Sequence, residues 1–289
     1  MTKHITVGYD STPSSTEAAL WAAAEADARG ASLKFVSCYD IPIVGETGGA
    51  WLTTGVISAI AEGTTRSVDA AKQLIASRYP NLEITTVVSA GPAREVLMDE
   101  LEPDDILVVG ASSHEGAAGF WLGNTARWAT RHARCPVVVV RGAASRGRPD
   151  RVVVGTDGSA AAEHALLWAA DEADLHGCEL VVVHGWEYPY IGIDTAGEQA
   201  RDFTRVDAAC VLEKAVETAR ERCGVNVTGE LVEGRVVTDL LDSVRDGDLL
   251  VMASSGKGAI VASLLGSTVN SVLEQSSAPV VVVPSGPRH

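Results

Sequence analysis

Basic residues are in short supply in this chain. Lys and Arg number 23 against 38 Asp and Glu, for a formal net charge of −15. That balance disfavours non-specific nucleic-acid binding, which needs a basic footprint, and favours solubility. Aromatics make up only 5% of the residues, so aliphatic side chains must fill any core. The cysteines are five, Cys38, Cys135, Cys178, Cys210 and Cys223, with no CxxC among them. An odd number without paired spacing excludes a disulfide framework and a zinc site, and fits thiols in a reducing compartment. No apolar run approaches the roughly 18 residues of a membrane span. Thr6-Val-Gly-Tyr-Asp10 already reads as a strand ending in a turn, so no leader segment is expected and a cytoplasmic location is.

Several catalytic signatures are missing as well. There is no GxxxxGK[ST] loop, no GxGxxG after the first strand and no GxSxG elbow. Where a phospho-accepting receiver would place an aspartate, the chain reads Val88-Ser89-Ala90. Spacing reveals no Ser-His-Asp or Cys-His set.

What is present is a repeat. Ile5 to Tyr39 aligns without a gap over Val152 to Trp186, pairing Val7 with Val154, Gly8 with Gly155, Asp10 with Asp157, Trp21 with Trp168 and Gly30 with Gly177. Further on, Asp105-Ile-Leu-Val-Val-Gly-Ala-Ser-Ser113 lies over Asp248-Leu-Leu-Val-Met-Ala-Ser-Ser-Gly256, and Pro136-Val-Val-Val-Val140 over Pro279-Val-Val-Val-Val283. Two long copies indicate a duplicated domain rather than a solenoid. Domains are expected over 1–142 and 151–289. The Gly-, Ser- and Arg-rich stretch 143–150 reads as the linker between them.

Each half alternates short β runs with helical patterns. In the first half strands are expected at 4–9, 33–38, 82–88, 106–110 and 136–141, with helices at 13–29, 56–79, 93–101 and 123–133. Ile57, Ile60, Thr64, Val68, Ala71 and Ile75 carry helical spacing, while the continuously apolar Val137 to Val140 suits a buried parallel strand. Alternation of this kind predicts an α/β chain: two tandem, open, doubly wound, parallel five-stranded sheets. Periodicity does not fix the strand order. Trp21 and Trp168 are read as packing residues.

In such sheets a ligand binds beyond the carboxyl ends of the strands, where the strand order reverses. The first strands end at Asp10 and Asp157-Gly158. The fourth end at Gly110-Ala-Ser-Ser113 and Ala253-Ser-Ser-Gly256. Gly123-Asn124-Thr125 and Gly266-Ser267-Thr268 then open helices. Small residues let backbone N–H groups approach a phosphate, and a helix N-terminus supplies free donors and partial positive charge. The aspartates are suited to a ribose hydroxyl, a metal or its water shell, or to capping the next helix.

These residues resemble the universal stress protein family, whose nucleotide binders carry glycine, two residues, glycine, nine residues, then glycine followed by Ser or Thr. The second half matches at Gly256, Gly266 and Ser267 and departs at Ala253. The first half matches at Gly110 and Gly123 and departs at Ser113 and Asn124. Val-Gly-Tyr-Asp10, Val-Gly-Thr-Asp-Gly-Ser159 and the closing Pro-Val-Val-Val-Val segments are also similar. The likeness covers nearly the whole chain and points to the tandem form frequent in actinobacteria.

The resemblance implies the adenine-nucleotide alpha-hydrolase-like fold with strand order 3-2-1-4-5, and a homodimer or dimer-like pairing of the halves. It implies ATP, with or without Mg²⁺, as the ligand. Ser37-Cys38 or His184-Gly185 would lie close to the base, and Gly91-Pro92-Ala93 or Gly234-Arg235-Val236 nearby. By motif match the second half is expected to be the better site. Three functions are then open: a nucleotide-dependent regulator in stress adaptation acting on an unknown protein partner, a slow Mg²⁺-dependent ATPase, or a nucleotide-free scaffold. No catalytic residue is assigned.

Overall fold

A computed structural model describes residues 2–41, 54–111, 122–141, 148–187, 197–256 and 265–285. The chain divides into two units: Met1–Ala129 with Ala133–Gly147, and Arg148–His289 with Thr130–His132.

The first unit runs β1 (His4–Gly8), α1 (Pro13–Arg29), β2 (Ser32–Tyr39), α2 (Thr54–Arg78), β3 (Ile84–Ala90), α3 (Ala93–Asp99), β4 (Ile106–Gly110), α4 (Asn124–His132) and β5 (Val137–Val140). The second repeats it with β6 (Arg151–Thr156), α5 (Ala160–His176), β7 (Glu179–Trp186), α6 (Gly197–Arg222), β8 (Val227–Glu233), α7 (Val236–Asp242), β9 (Leu249–Ala253), α8 (Ser267–Gln275) and β10 (Val280–Val283). The expected elements are all found, with bounds shifted by a few residues. The third strand, for example, runs on to Ala90, where Gly91 at φ +132° turns the chain into α3.

Within the first unit the strands lie β3-β2-β1-β4-β5, and within the second β8-β7-β6-β9-β10. All pairings given for these strands are parallel. Both sheets therefore follow the order 3-2-1-4-5. The order reverses at the neighbouring pairs β1–β4 and β6–β9, so a crevice is expected beyond Gly8 and Gly110 in one unit and beyond Thr156 and Ala253 in the other.

Local chemistry sets these elements. Thr12 and Ser159 cap α1 and α5, their hydroxyls accepting from the backbone N–H of Ser15 and Ala162. Gly30 and Gly177 end the same helices in the left-handed region, at φ 62° and 58°. Every residue of β5, β9 and β10 is buried, as covered parallel strands require. Trp21 packs in the core and Trp168 is half-buried. Among the described residues no helix is long and apolar enough to cross a membrane.

Candidate functional site

At the switch point of the first unit the structure holds a cavity of about 340 Å³, within the range of small-molecule pockets. Gly8, Tyr9 and Asp10 approach it from the end of β1, Val36 and Cys38 from β2, and Val109, Gly110 and Ala111 from β4. Ala93 and Leu97 of α3 form one side. Gly123, Asn124, Thr125 and Ala126 bring the start of α4 to it, and Thr12, Ser14 and Ser15 the start of α1. Asp10, Cys38, Gly110, Gly123, Asn124 and Thr125, distant in sequence, thus meet at one cavity. Ser113 lies outside the described residues.

The polar groups come from three turns. Asp10 is exposed; its Oδ1 accepts from the Thr12 N–H at 3.1 Å and the Thr12 hydroxyl at 2.6 Å. That bracing holds the carboxylate at the rim of the cavity through one of its two oxygens. The buried Ser15 hydroxyl accepts from the Asp10 N–H at 3.3 Å and donates to the Thr12 carbonyl at 3.0 Å. The Ser14 hydroxyl donates to the Ala111 carbonyl. These hydroxyls were not singled out in the sequence, although Thr12-Pro-Ser-Ser15 begins only two residues after Asp10. Among the described residues no Lys or Arg lines the cavity, and Asp10 is the one charged residue that does.

α4 starts at Gly123, with extended backbone and no side chain capping the first turn. The free N–H groups of that turn are therefore available to an anion, the donor set a phosphate needs.

Cys38 is half-buried on the cavity wall. Burial, and then the nearby Asp40 carboxylate, push its thiol above the usual range, so it stays protonated at neutral pH. It can serve as an apolar wall and weak donor, not as an activated nucleophile.

Gly110 carries a constraint of a different kind from the one expected. A β-carbon there would fall 2.6 Å from the backbone C and O of Ser14. The glycine lets the start of α1 sit against β4. The departure to Ala253 in the second unit thus bears on helix–strand packing at that position, where Ala161 replaces Ser14.

In the second unit the matching turn has the same form. Asp157 Oδ1 accepts from the Ser159 N–H at 2.9 Å, with Gly158 at φ 71° between them. Gly256 presses on this turn: a β-carbon on it would lie 2.5 Å from Asp157 Oδ2. Ala253 is buried, Ser267 is exposed at the first turn of α8, and Thr268 follows it half-buried. Gly266 starts α8 without a side-chain cap, and among the described residues a β-carbon there would meet only Val269 Cγ2, at 4.0 Å.

His184 is placed away from the expected position. It is 8% exposed, and its Nδ1 lies 2.7 Å from the Thr156 carbonyl oxygen. Its counterpart Ser37 is absent from the cavity lining, whereas Val36 and Cys38 are present. Side chains alternate across a strand, so His184 projects from the face opposite Gly185, the counterpart of Cys38.

Comparison with known proteins agrees with this architecture. The sequence pattern described as the Universal stress protein family matches residues 1–141 and again 149–284. A universal stress protein of Mycolicibacterium smegmatis is 28% identical over 288 residues, covering 96% of each chain. Universal stress protein Rv2005c of Mycobacterium tuberculosis is 30% identical over 294 residues, again with 96% of each chain covered. The crystal structure of a universal stress protein from Archaeoglobus fulgidus superposes with a TM-score of 0.73 over 99% of this chain and 100% of its own, at 18% identity. That likeness is one of fold.

Proposed function

This chain belongs to the universal stress protein family, and we propose that its first unit binds an adenine nucleotide, ATP foremost, as a regulator in stress adaptation rather than as a fast catalyst. The observation that carries the reading is the convergence of Asp10, Cys38, Gly110, Gly123, Asn124 and Thr125 on one cavity at the β1–β4 switch point. The parts divide the ligand between them. The uncapped first turn of α4 and the hydroxyl of Thr125 suit the phosphates. Asp10 suits a ribose hydroxyl or the water shell of Mg²⁺. The wall of Val36, Cys38, Ala93, Leu97 and Val109 suits the flat apolar faces of a base. Bound Mg²⁺ would neutralise phosphate charge beside Asp10, where no basic side chain lines the cavity among the described residues. Nucleotide occupancy would bias the conformation of the α3 and α4 ends, and a protein partner would sense that bias.

Titration calorimetry of the nucleotide-stripped full chain with MgATP tests this. Saturable binding is expected, with stabilisation of about 2.7 kcal/mol at a hundredfold excess over Kd. Gly123→Val should weaken it at least tenfold. Alkylation of Cys38 should slow on MgATP addition, while the exposed Cys210 keeps its rate as an internal control. Absence of heat, of stabilisation and of Cys38 protection from folded protein would overturn the reading. Phosphate release that vanishes in Asp10→Ala would move the assignment to a slow ATPase.

A further inference from the structure

The two units differ where the sheet meets the short helix packed on it. In the first unit Gly8, Cys38, Ala93, Leu97 and Val109 all border the cavity. A β-carbon on Gly8 would find Leu97 Cδ1 and Val109 Cγ1 at 3.5 Å, an ordinary contact. In the second unit the counterparts are Gly155, Gly185, Val236, Leu240 and Met252. There Met252 Sδ lies only 2.7 Å from the β-carbon position of Gly155, and Leu240 Cδ2 3.4 Å from it. Val236 Cγ1 and Cγ2 lie 2.8 and 3.0 Å from the β-carbon position of Gly185. Met252 and Leu240 are as buried as Val109 and Leu97, so the units differ here not in exposure but in reach: Met252 and Val236 extend over the two glycines.

We infer that Met252 and Val236 occupy the second unit's base-and-ribose space and close it to nucleotides, so that the chain binds one nucleotide, in its first unit. The inference rests on the nucleotide reading above. A close-packed floor has no room for a purine ring unless side chains leave. Methionine, unbranched and adaptable, is suited to filling such an irregular gap. Two hydroxyls have gone too: Ser14 and Ser15 of the first unit correspond to Ala161 and Ala162. Among the described residues nothing crowds the turn at Gly266, so the contacts that close the space are those of two side chains on the floor. The closer glycine-motif match of the second half is thereby outweighed by packing beneath it.

The test is binding stoichiometry of the full chain with MgATP, by calorimetry, with folding checked by circular dichroism and thermal melting. The wild type should bind one equivalent. The pair Met252→Val and Val236→Ala, which installs the first unit's residues, should bind two. Adding Gly123→Val to that pair should return the count to one. The reciprocal pair Val109→Met and Ala93→Val should weaken wild-type binding at least tenfold. Should the opened pair fail to fold, the reciprocal pair and Met252→Val alone decide the matter by the same counts. Two equivalents in the wild type, or one in the folded opened pair, would overturn the inference while nucleotide binding stands. No binding by the wild type but one equivalent in the opened pair would overturn the assignment to the first unit and keep the block. No binding by either would overturn both.

Discussion

Val236 Cγ1 stands 2.8 Å from the point where a β-carbon on Gly185 would lie. In the first unit the same two positions hold Ala93 and Cys38, so bulk has passed from strand to helix. Gly185→Cys alone should therefore overpack the contact and cost about 1–3 kcal/mol. Val236→Ala alone should cost about 1–2 kcal/mol in lost burial. Together they should cost less than their sum, with a coupling of at least about 1 kcal/mol. Urea titrations of the four proteins measure it, and additive costs would show that the two positions do not share the space.

Ser11 and Gly158 occupy equivalent turns, and both are left-handed, Ser11 at φ 66° and Gly158 at φ 71°. The conformation costs a residue with a β-carbon about 1–2 kcal/mol. Gly158→Ala is expected to lower the stability of the chain by about 1 kcal/mol, and Ser11→Gly to raise it by a smaller amount. Thermal melting at one scan rate, compared with the wild type, checks both signs.

Arg151 and Asp248 form a buried pair at the far end of the second sheet. Arg151 Nε donates to Asp248 Oδ1 at 3.1 Å, and a terminal guanidinium nitrogen to Oδ2 at 2.6 Å. The hydrogen bond to Asp248 is the main reason the Arg151 pKa is raised. In the first unit His4 replaces Arg151 and pairs with Ser32 instead, while Asp105 is fully buried with no hydrogen bond to Oδ1 among the described residues. Arg151→Met should cost about 3 kcal/mol by leaving Asp248 buried and unpaired. Asp105→Asn should be close to neutral or stabilising, whereas Asp248→Asn should be clearly destabilising. Chemical denaturation of the three variants tests this, and equal losses for the two Asp→Asn changes would contradict it.

Much of this architecture was legible before the structure. Short apolar runs such as Val137–Val140, caps such as Thr12 and Ser159, and terminal glycines such as Gly30 and Gly177 are local signals, and they placed the elements within a few residues. The switch-point rule then directed attention to Asp10, Gly110 and Gly123, which the fold brings to one cavity. What escaped was decided between elements far apart in sequence. Whether a space stays open depends on Val109 against Gly8 and Ala93 against Cys38, or on Met252 against Gly155 and Val236 against Gly185. No motif reports such pairings. His184 was misplaced for a simpler reason, since one residue along a strand reverses the face. Ser14 and Ser15 were visible but read only as the start of a helix.

Cys135 sits just before β5, 1% exposed. Burial, and after it the Asp105 carboxylate, push its thiol from the ordinary 9.0 up to about 12. The folded pKa is above the unfolded one, so as pH rises past about 9 the unfolded chain releases this proton first. The stability it contributes is complete below pH 9 and is lost as pH climbs toward 12, at up to about 1.4 kcal/mol per pH unit. Cys38, Cys178 and Cys223 are shifted in the same direction, so the wild type alone does not isolate the effect. Comparison with Cys135→Ala does. Urea midpoints measured from pH 7.5 to 11 should show wild type and variant separated by a constant amount below pH 9. Above it the wild type should lose ground relative to the variant. Asp105→Asn should start that decline at a higher stability and make it shallower, because the carboxylate that repels the thiolate is gone. A separation that stays constant through pH 11 would mean that the Cys135 thiolate forms as readily in the folded chain as in the unfolded one, and that its pocket admits water.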